Sequence, residues 1–145
     1  MCGIFGYIGA RDPLQICLSG LEQLEYRGYD STGVAGVGNG EIKFCKKAGK
    51  LSNLLQAMNL RNLESAIGHT RWATHGQVND QNAHPHLDAA NSMAIIHNGI
   101  IENHHILRND LITSGVRFTS DTDTEVIVQL VAKFYEGDLA AALQK

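Results

Sequence analysis

Apolar positions along the chain recur with two periods, and the switches between them mark out the elements. Leu14, Cys17, Leu18, Leu21 and Leu24 fall three and four residues apart, the stripe of one helix face. Asp12-Pro13 ahead of them supplies an N-cap followed by a proline at the first helical position, so a helix should start at residue 13 and end near Arg27-Gly28. That spacing makes Cys17 a core residue. Val126, Ile127, Leu130, Val131 and Phe134 repeat in the same way and predict a helix over residues 123–135. Weaker patterns predict helices over 51–60 and 102–114, and Asp138 should cap a last one running to Lys145. Residues 3–8 and 93–97 are short apolar runs that fit strands buried on both faces, and 66–73 fits a further strand. Residues 32–38 and 41–47 are joined by Asn39-Gly40, the dipeptide of a tight hairpin, because both positions tolerate positive φ.

Strands and helices alternate too irregularly for a doubly wound parallel sheet, so the pattern favours α+β with largely antiparallel sheets. A length of 145 residues, 43% of them hydrophobic and 19% charged, is the make-up of one globular domain. The formal net charge is -3 and no basic cluster exceeds pieces such as Lys46-Lys47, which argues against a nucleic-acid partner and for small, near-neutral ones. No apolar run approaches the roughly 18 to 20 residues that span a bilayer, and no signal sequence opens the chain, so no membrane partner and a cytoplasmic location are expected. Three cysteines, Cys2, Cys17 and Cys45, form no paired framework and suggest reduced thiols. Gly36, Gly38 and Gly40 resemble a phosphate loop only superficially, since no helix follows them.

The chemistry concentrates at the second residue. Removal of Met1 would give Cys2 a thiol and a free α-amine a few bonds apart, and an amine of pKa about 7.7 to 8.0 is partly neutral near pH 7 and can act as a base. Four polar clusters could complete a site: residues 69–76, residues 82–86 in a loop, and residues 97–99 and 120–125. Arg71 suits a carboxylate and Asp123 an ammonium group, so the pair could hold both charges of an amino acid. Asn98-Gly99 offers a side-chain amide and an unobstructed backbone N–H for a developing oxyanion. Blander readings compete: a buried structural thiol for Cys2, a helix cap for the run at 120–125, and a plain turn for Asn98-Gly99. Seven histidines invite a zinc site, but no paired CxxC or HExxH spacing is present, and neither metal nor cofactor is expected. Trp72 fits either a core aromatic or a mobile cover.

Residues 1–6 (Met-Cys-Gly-Ile-Phe-Gly), 24–31, 69–76, 82–86, 97–103 and 122–126 together resemble the class II, N-terminal-nucleophile glutamine amidotransferases. Within them, the Tyr26 to Ser31 and Thr70 to Gly76 stretches are most similar to the glutaminase domain of the glutamine:fructose-6-phosphate amidotransferases, the glucosamine-6-phosphate synthases. The likeness covers essentially the whole chain, residues 1–145, as a glutaminase domain incomplete at its C-terminus with the sugar isomerase domain absent. It implies a four-layer αββα sandwich and hydrolysis of L-glutamine to glutamate and ammonia through a Cys2 thioester. It implies further that Asn98 and Gly99 form the oxyanion hole, Arg71 binds the substrate carboxylate and Asp123 its amino group. Thr74 and His75 would line the pocket, Trp72 would belong to the loop closing over it, and Arg27 would support the closed state. Fructose 6-phosphate would be reached only through the absent isomerase domain, and the full-length protein would be a homo-oligomer. Two reservations follow from the residues themselves. A retained Met1 leaves Cys2 with an amide nitrogen of no useful basicity, and uncovered sheets should expose apolar surface. The rival reading is a catalytically silent module that binds glutamine or a partner chain.

Overall fold

The computed structural model describes residues 1–73 and 77–145. Its first half is a four-stranded antiparallel sheet with two helices on one face. The strands are β1 (Gly3–Ile8), β2 (Ser31–Gly38), β3 (Glu41–Ala48) and β4 (Ser65–Arg71), in the order β1-β4-β2-β3. The helices are α1 (Pro13–Leu24) and α2 (Leu51–Ala57). Both local signals in the sequence act as expected. Asp12 Oδ1 accepts from Leu14 N at 2.9 Å and Gln15 N at 3.3 Å, capping α1 ahead of Pro13. Asn39 and Gly40 take φ of 58° and 75°, which closes the β2–β3 hairpin.

Alternation along the strands sorts the residues of this sheet between two unlike layers. Val34 and Ala66 face the helices and pack with Leu14, Cys17, Leu21, Leu51 and Leu54 in a contiguous hydrophobic cluster. Cys17 is fully buried there, and burial pushes its thiol up to about 12. Glycine allows the close approach of α1: a Cβ on Gly68 would lie 2.6 Å from Cys17 Sγ and 2.8 Å from Leu21 Cδ1. The other face carries His69, Arg71 and Gly33 toward the second half of the chain.

β1 departs from the expected strand buried on both faces. It lies at the sheet edge and alternates: Phe5 and Tyr7 are half-buried on the α1 side, while Ile4 and Ile8 are 46% and 82% exposed. The second sheet is too short to cover them. It comprises β5 (His86–Leu87) and β6 (Ala94–Ile95), antiparallel. The expected strand over 93–97 is thereby cut to two half-buried residues, and part of the segment expected as a loop at 82–86 enters a strand. Asp88 explains one boundary, since its Oδ1 accepts from Ser92 N at 2.7 Å and Met93 N at 2.6 Å and so takes the Met93 N–H away from a strand partner. His97 explains the other, since its N–H turns to His84 Nδ1 at 3.4 Å.

Three helices complete the chain: α3 (His104–Thr113), α4 (Thr124–Phe134) and α5 (Leu139–Leu143). α4 packs on β5 and β6, and the layers run helices, sheet, short sheet, helices. The stripe expected on α4 is only partly the buried one. Val126 and Val131 are buried, Ile127, Leu130 and Phe134 only half, and Thr124, Glu125 and Gln129 are buried as well. Four donors make the burial of Glu125 tolerable: Thr119 N at 2.8 Å, Thr119 Oγ1 at 3.0 Å, Ser120 N at 2.7 Å and Ser120 Oγ at 2.6 Å.

Gly68→Val tests the close α1 contact. Overpacking at this position should lower the stability measured by urea unfolding by about 2 kcal/mol or more, whereas Gly40→Asn, at an open hairpin position, should cost well under half of that. Equal effects of the two substitutions would contradict the packing described.

Candidate active site

Strand pairing brings the two ends of the candidate site together. Gly3 stands opposite Thr70, so the residue before Gly3 meets the residues just beyond the end of β4. The Cys2 thiol accepts from Trp72 N–H at 3.3 Å and donates to the Trp72 carbonyl at 3.6 Å. Residue 3 must be small, because a Cβ there would lie 2.7 Å from Thr70 Oγ1 and 2.8 Å from Leu24 Cβ. The Met1 ammonium donates to the Arg27 carbonyl at 2.8 Å, and Arg27 Nη2 lies 3.9 Å from Met1 Sδ. Gly28 sits against the Arg71–Trp72 peptide, where a Cβ would lie 2.8 Å from the Arg71 carbonyl carbon. Arg27 thus engages Met1 rather than the cleft floor.

Cys2, Arg71, Trp72, Asn98, Gly99 and Asp123 line one cleft of about 400 Å³. Asn98 Nδ2 donates to the Cys2 carbonyl at 3.5 Å, placing the amide beside the nucleophile candidate. Gly99 is required by its neighbour, since a Cβ would lie 2.6 Å from His97 Nε2, whose ring is tied to Thr124 Oγ1 at 3.2 Å through Nδ1. Asp123 stands at the N-cap position of α4 but makes no capping bond. Its Oδ2 accepts from Ile101 N at 2.8 Å instead, so the cap reading of this aspartate is set aside. Burial lowers the Arg71 pKa, a shift opposed by Cys2, Asp30 and Asp123. Trp72 is exposed and meets Tyr29 edge-on, with centroids 5.8 Å apart at 84°, so it is not a core aromatic. Thr74 and His75, also expected in the pocket, lie outside the described residues.

Several residues of the site were given no role of their own from the sequence. Asp30 accepts from Ala73 N at 2.8 Å and donates its own N–H to the Arg71 carbonyl at 3.0 Å, fixing the segment that carries Arg71 and Trp72. His69 and His84 line the cleft and stack with centroids 4.2 Å apart, and His84 meets His86 edge-on at 4.6 Å. The sequence carried a signal for this: His69 and Arg71 lie two apart on a strand, and so do His84 and His86. Burial, aided by Arg71, holds the His69 pKa down to about 4, against an opposing pull from the His97 backbone. His84 and His86 are lowered by burial and then by their neighbours, Arg71 and Lys46 among them. Lys46 is itself drawn down to about 8 by burial. Among the described residues no group of three or more His, Cys, Asp or Glu side chains is arranged to hold a metal ion.

A family model described as a glutamine amidotransferase domain matches residues 56–142. Curated relatives include a glutamine–fructose-6-phosphate aminotransferase [isomerizing] of Fusobacterium nucleatum, 51% identical over 100% of this chain and 24% of its own length. The protein of the same name from Aquifex aeolicus is 52% identical over 100% of this chain and 25% of its own. The chain therefore spans about a quarter of the length of these relatives. Among solved structures, the glutamine phosphoribosylpyrophosphate amidotransferase of B. subtilis superposes with a TM-score of 0.80 at 27% identity, over 97% of this chain and 31% of that one. A structure described as the allosteric regulatory enzyme of purine biosynthesis gives 0.82 at 28%, with the same coverage. The architecture is that of the amidotransferase fold, as the resemblance in the sequence implied.

The three buried histidines make stability depend on pH in a definite sense. Their folded-state pKa values lie below the ordinary value near 6.5, so the unfolded chain takes up protons that the fold refuses. The contribution is whole above about pH 6.5 and is lost as pH falls toward 4, at about 1.4 kcal/mol per pH unit for each proton concerned. The urea midpoint should drop clearly between pH 7.5 and 5.5, before most carboxylates titrate. A midpoint constant across that range would contradict the neutral, buried assignment.

Proposed function

The chain belongs to the glutamine amidotransferase domain family, and from that premise we propose that it carries the glutamine-hydrolysing site of an enzyme that passes the released ammonia to a sugar phosphate. The observation supporting this most directly is the shared cleft, in which the Cys2 thiol stands with Arg71, Asp123 and the Asn98-Gly99 pair. After removal of Met1, the Cys2 α-amine takes the thiol proton and the sulfur attacks the side-chain carbonyl carbon of glutamine. Asn98 Nδ2 and the Gly99 N–H receive the oxyanion. Collapse of the tetrahedral adduct breaks the C–N bond, with the ammonium of Cys2 protonating the departing nitrogen, and leaves a thioester. Water, deprotonated by the same amine, then releases glutamate and restores the thiol. Arg71 binds the substrate α-carboxylate and Asp123 its ammonium, which holds the side-chain amide over the sulfur.

While Met1 is present its ammonium, bonded to the Arg27 carbonyl, is the terminal charge, and the Cys2 nitrogen is an amide. The unprocessed chain is accordingly silent in this scheme. The names of the relatives point to fructose 6-phosphate as the acceptor of the ammonia, in a part of the protein outside these 145 residues. Residues 1–145 are in this reading the portion of the glutaminase domain that holds the nucleophile and both charge-binding residues.

In the complete protein with Met1 removed, Cys2→Ala should abolish glutamine hydrolysis while leaving glutamine binding by calorimetry largely intact. Surviving turnover would exclude Cys2 as the nucleophile. Arg71→Ala should act chiefly on KM, raising it by about a hundredfold, the worth of a charge-assisted pair of bonds. An unchanged KM would remove Arg71 from the carboxylate site.

A further inference from the structure

Resting on that reading, the cleft must keep Arg71 and Asp123 at a set separation, although one ends β4 and the other precedes α4 in the opposite layer. A buried side chain outside the cleft lining connects them. Asn82 is 0% exposed, and both ends of its amide are used. Its Nδ2 donates to the Gln77 carbonyl at 3.0 Å, the same carbonyl that accepts from Arg71 Nη1 at 3.4 Å. Its Oδ1 accepts from Asp121 N at 2.9 Å, two residues before Asp123. The partners fix which way the amide faces, since a backbone N–H requires the oxygen and a carbonyl requires the NH2.

The backbone of Asn82 is held as firmly as its side chain. Its N–H donates to Asn79 Oδ1 at 2.7 Å. Lys46, reaching across from β3, donates to the carbonyls on either side of it, Gln81 at 3.0 Å and Ala83 at 2.9 Å. Next along β3, Lys47 pairs with Asp80 at 2.6 Å. The segment bearing Asn82 is thus bolted to the four-stranded sheet, and from it the amide reaches the two segments that carry opposite charges.

We propose that Asn82 is the positioning residue that sets the separation between the Arg71 guanidinium and the Asp123 carboxylate, and so selects substrates presenting both charges of a free α-amino acid. It stands outside the cleft lining, and its amide bonds to Gln77 and Asp121 rather than to the nucleophile. Its loss should therefore weaken the grip on glutamine and leave the sulfur's own reactivity alone.

Asn82→Asp tests this, because the carboxylate can still accept from Asp121 N but opposes the Gln77 carbonyl. In the complete protein with Met1 removed, KM for glutamine should rise by about tenfold or more, with kcat changed less than about threefold. Alkylation of Cys2 by iodoacetamide, an uncharged reagent that needs no amino-acid grip, should keep its rate. In an Arg71→Ala background the same substitution should move KM less than about twofold, since its effect runs through Arg71. If Asn82→Asp does not fold, Asn82→Ser, which adds no charge, carries the same expectations. An unmoved KM, a parallel loss of kcat and alkylation, or a full additional effect in the Arg71→Ala background overturns the assignment while the amidotransferase reading stands. Absence of glutamine turnover in the unsubstituted enzyme overturns both.

Discussion

The pairing of β1 with β4 is the constraint on which the site depends. Side chains alternate with a period of two, so Gly3 opposite Thr70 determines that Cys2 meets Trp72 and that Ile4 stands on the same face as His69 and Arg71. A slip of one residue would turn β1 over, sending Phe5 and Tyr7 away from α1 and Ile4 and Ile8 toward it. Glycines protect the register. Gly3 lies under Thr70 and Leu24, Gly20 under Phe5, and Gly68 under Cys17 and Leu21, so a shifted strand would drive side chains into space the native arrangement leaves to hydrogen atoms.

The two interiors of the molecule are built on different principles. Between the helices and the large sheet lies ordinary hydrocarbon, cohesive but directionless. Between the sheets lies a layer of hydroxyls, imidazoles and a carboxylate, where direction is enforced. Ser120 Oγ donates to Glu125 at 2.6 Å, so it must accept from Thr122 Oγ1 at 3.0 Å. Thr122 Oγ1 must then accept from His86 Nε2 at 2.9 Å, which places the proton of the neutral ring on Nε2. His84 Nδ1, accepting from His97 N–H, is bare by the same logic. The site is assembled from this second interior, where each bond dictates the next.

Local signals in the sequence translated directly into structure where neighbouring residues alone decide the outcome. Asp12-Pro13 and Asn39-Gly40 are of this kind. Cys17 followed from spacing, and Cys2, Arg71, Asn98, Gly99 and Asp123 followed from chemistry, and the fold brings these five into one cleft. What was misjudged depends on distant partners. The apolar run of β1 reads the same whether it lies at an edge or in the centre of a sheet. The strand expected over 93–97 is shortened by Asp88 and His84, neither of which periodicity can connect to it. Asp30 and Asn82 act through backbone groups of other segments, and no pattern along the chain announces such bonds.

An edge position for β1 also bears on the removal of Met1 that the proposed scheme requires. Met1 is 77% exposed and reaches its carbonyl partner from the rim of the sheet, not from the middle of it. An aminopeptidase needs an accessible, extended terminus, and this one is offered with the sheet already formed. In the proposed scheme trimming can therefore come after folding, and the cut that frees the cysteine nitrogen would give up only the two contacts of Met1 with Arg27, the ammonium bond to its carbonyl and the sulfur contact with its guanidinium.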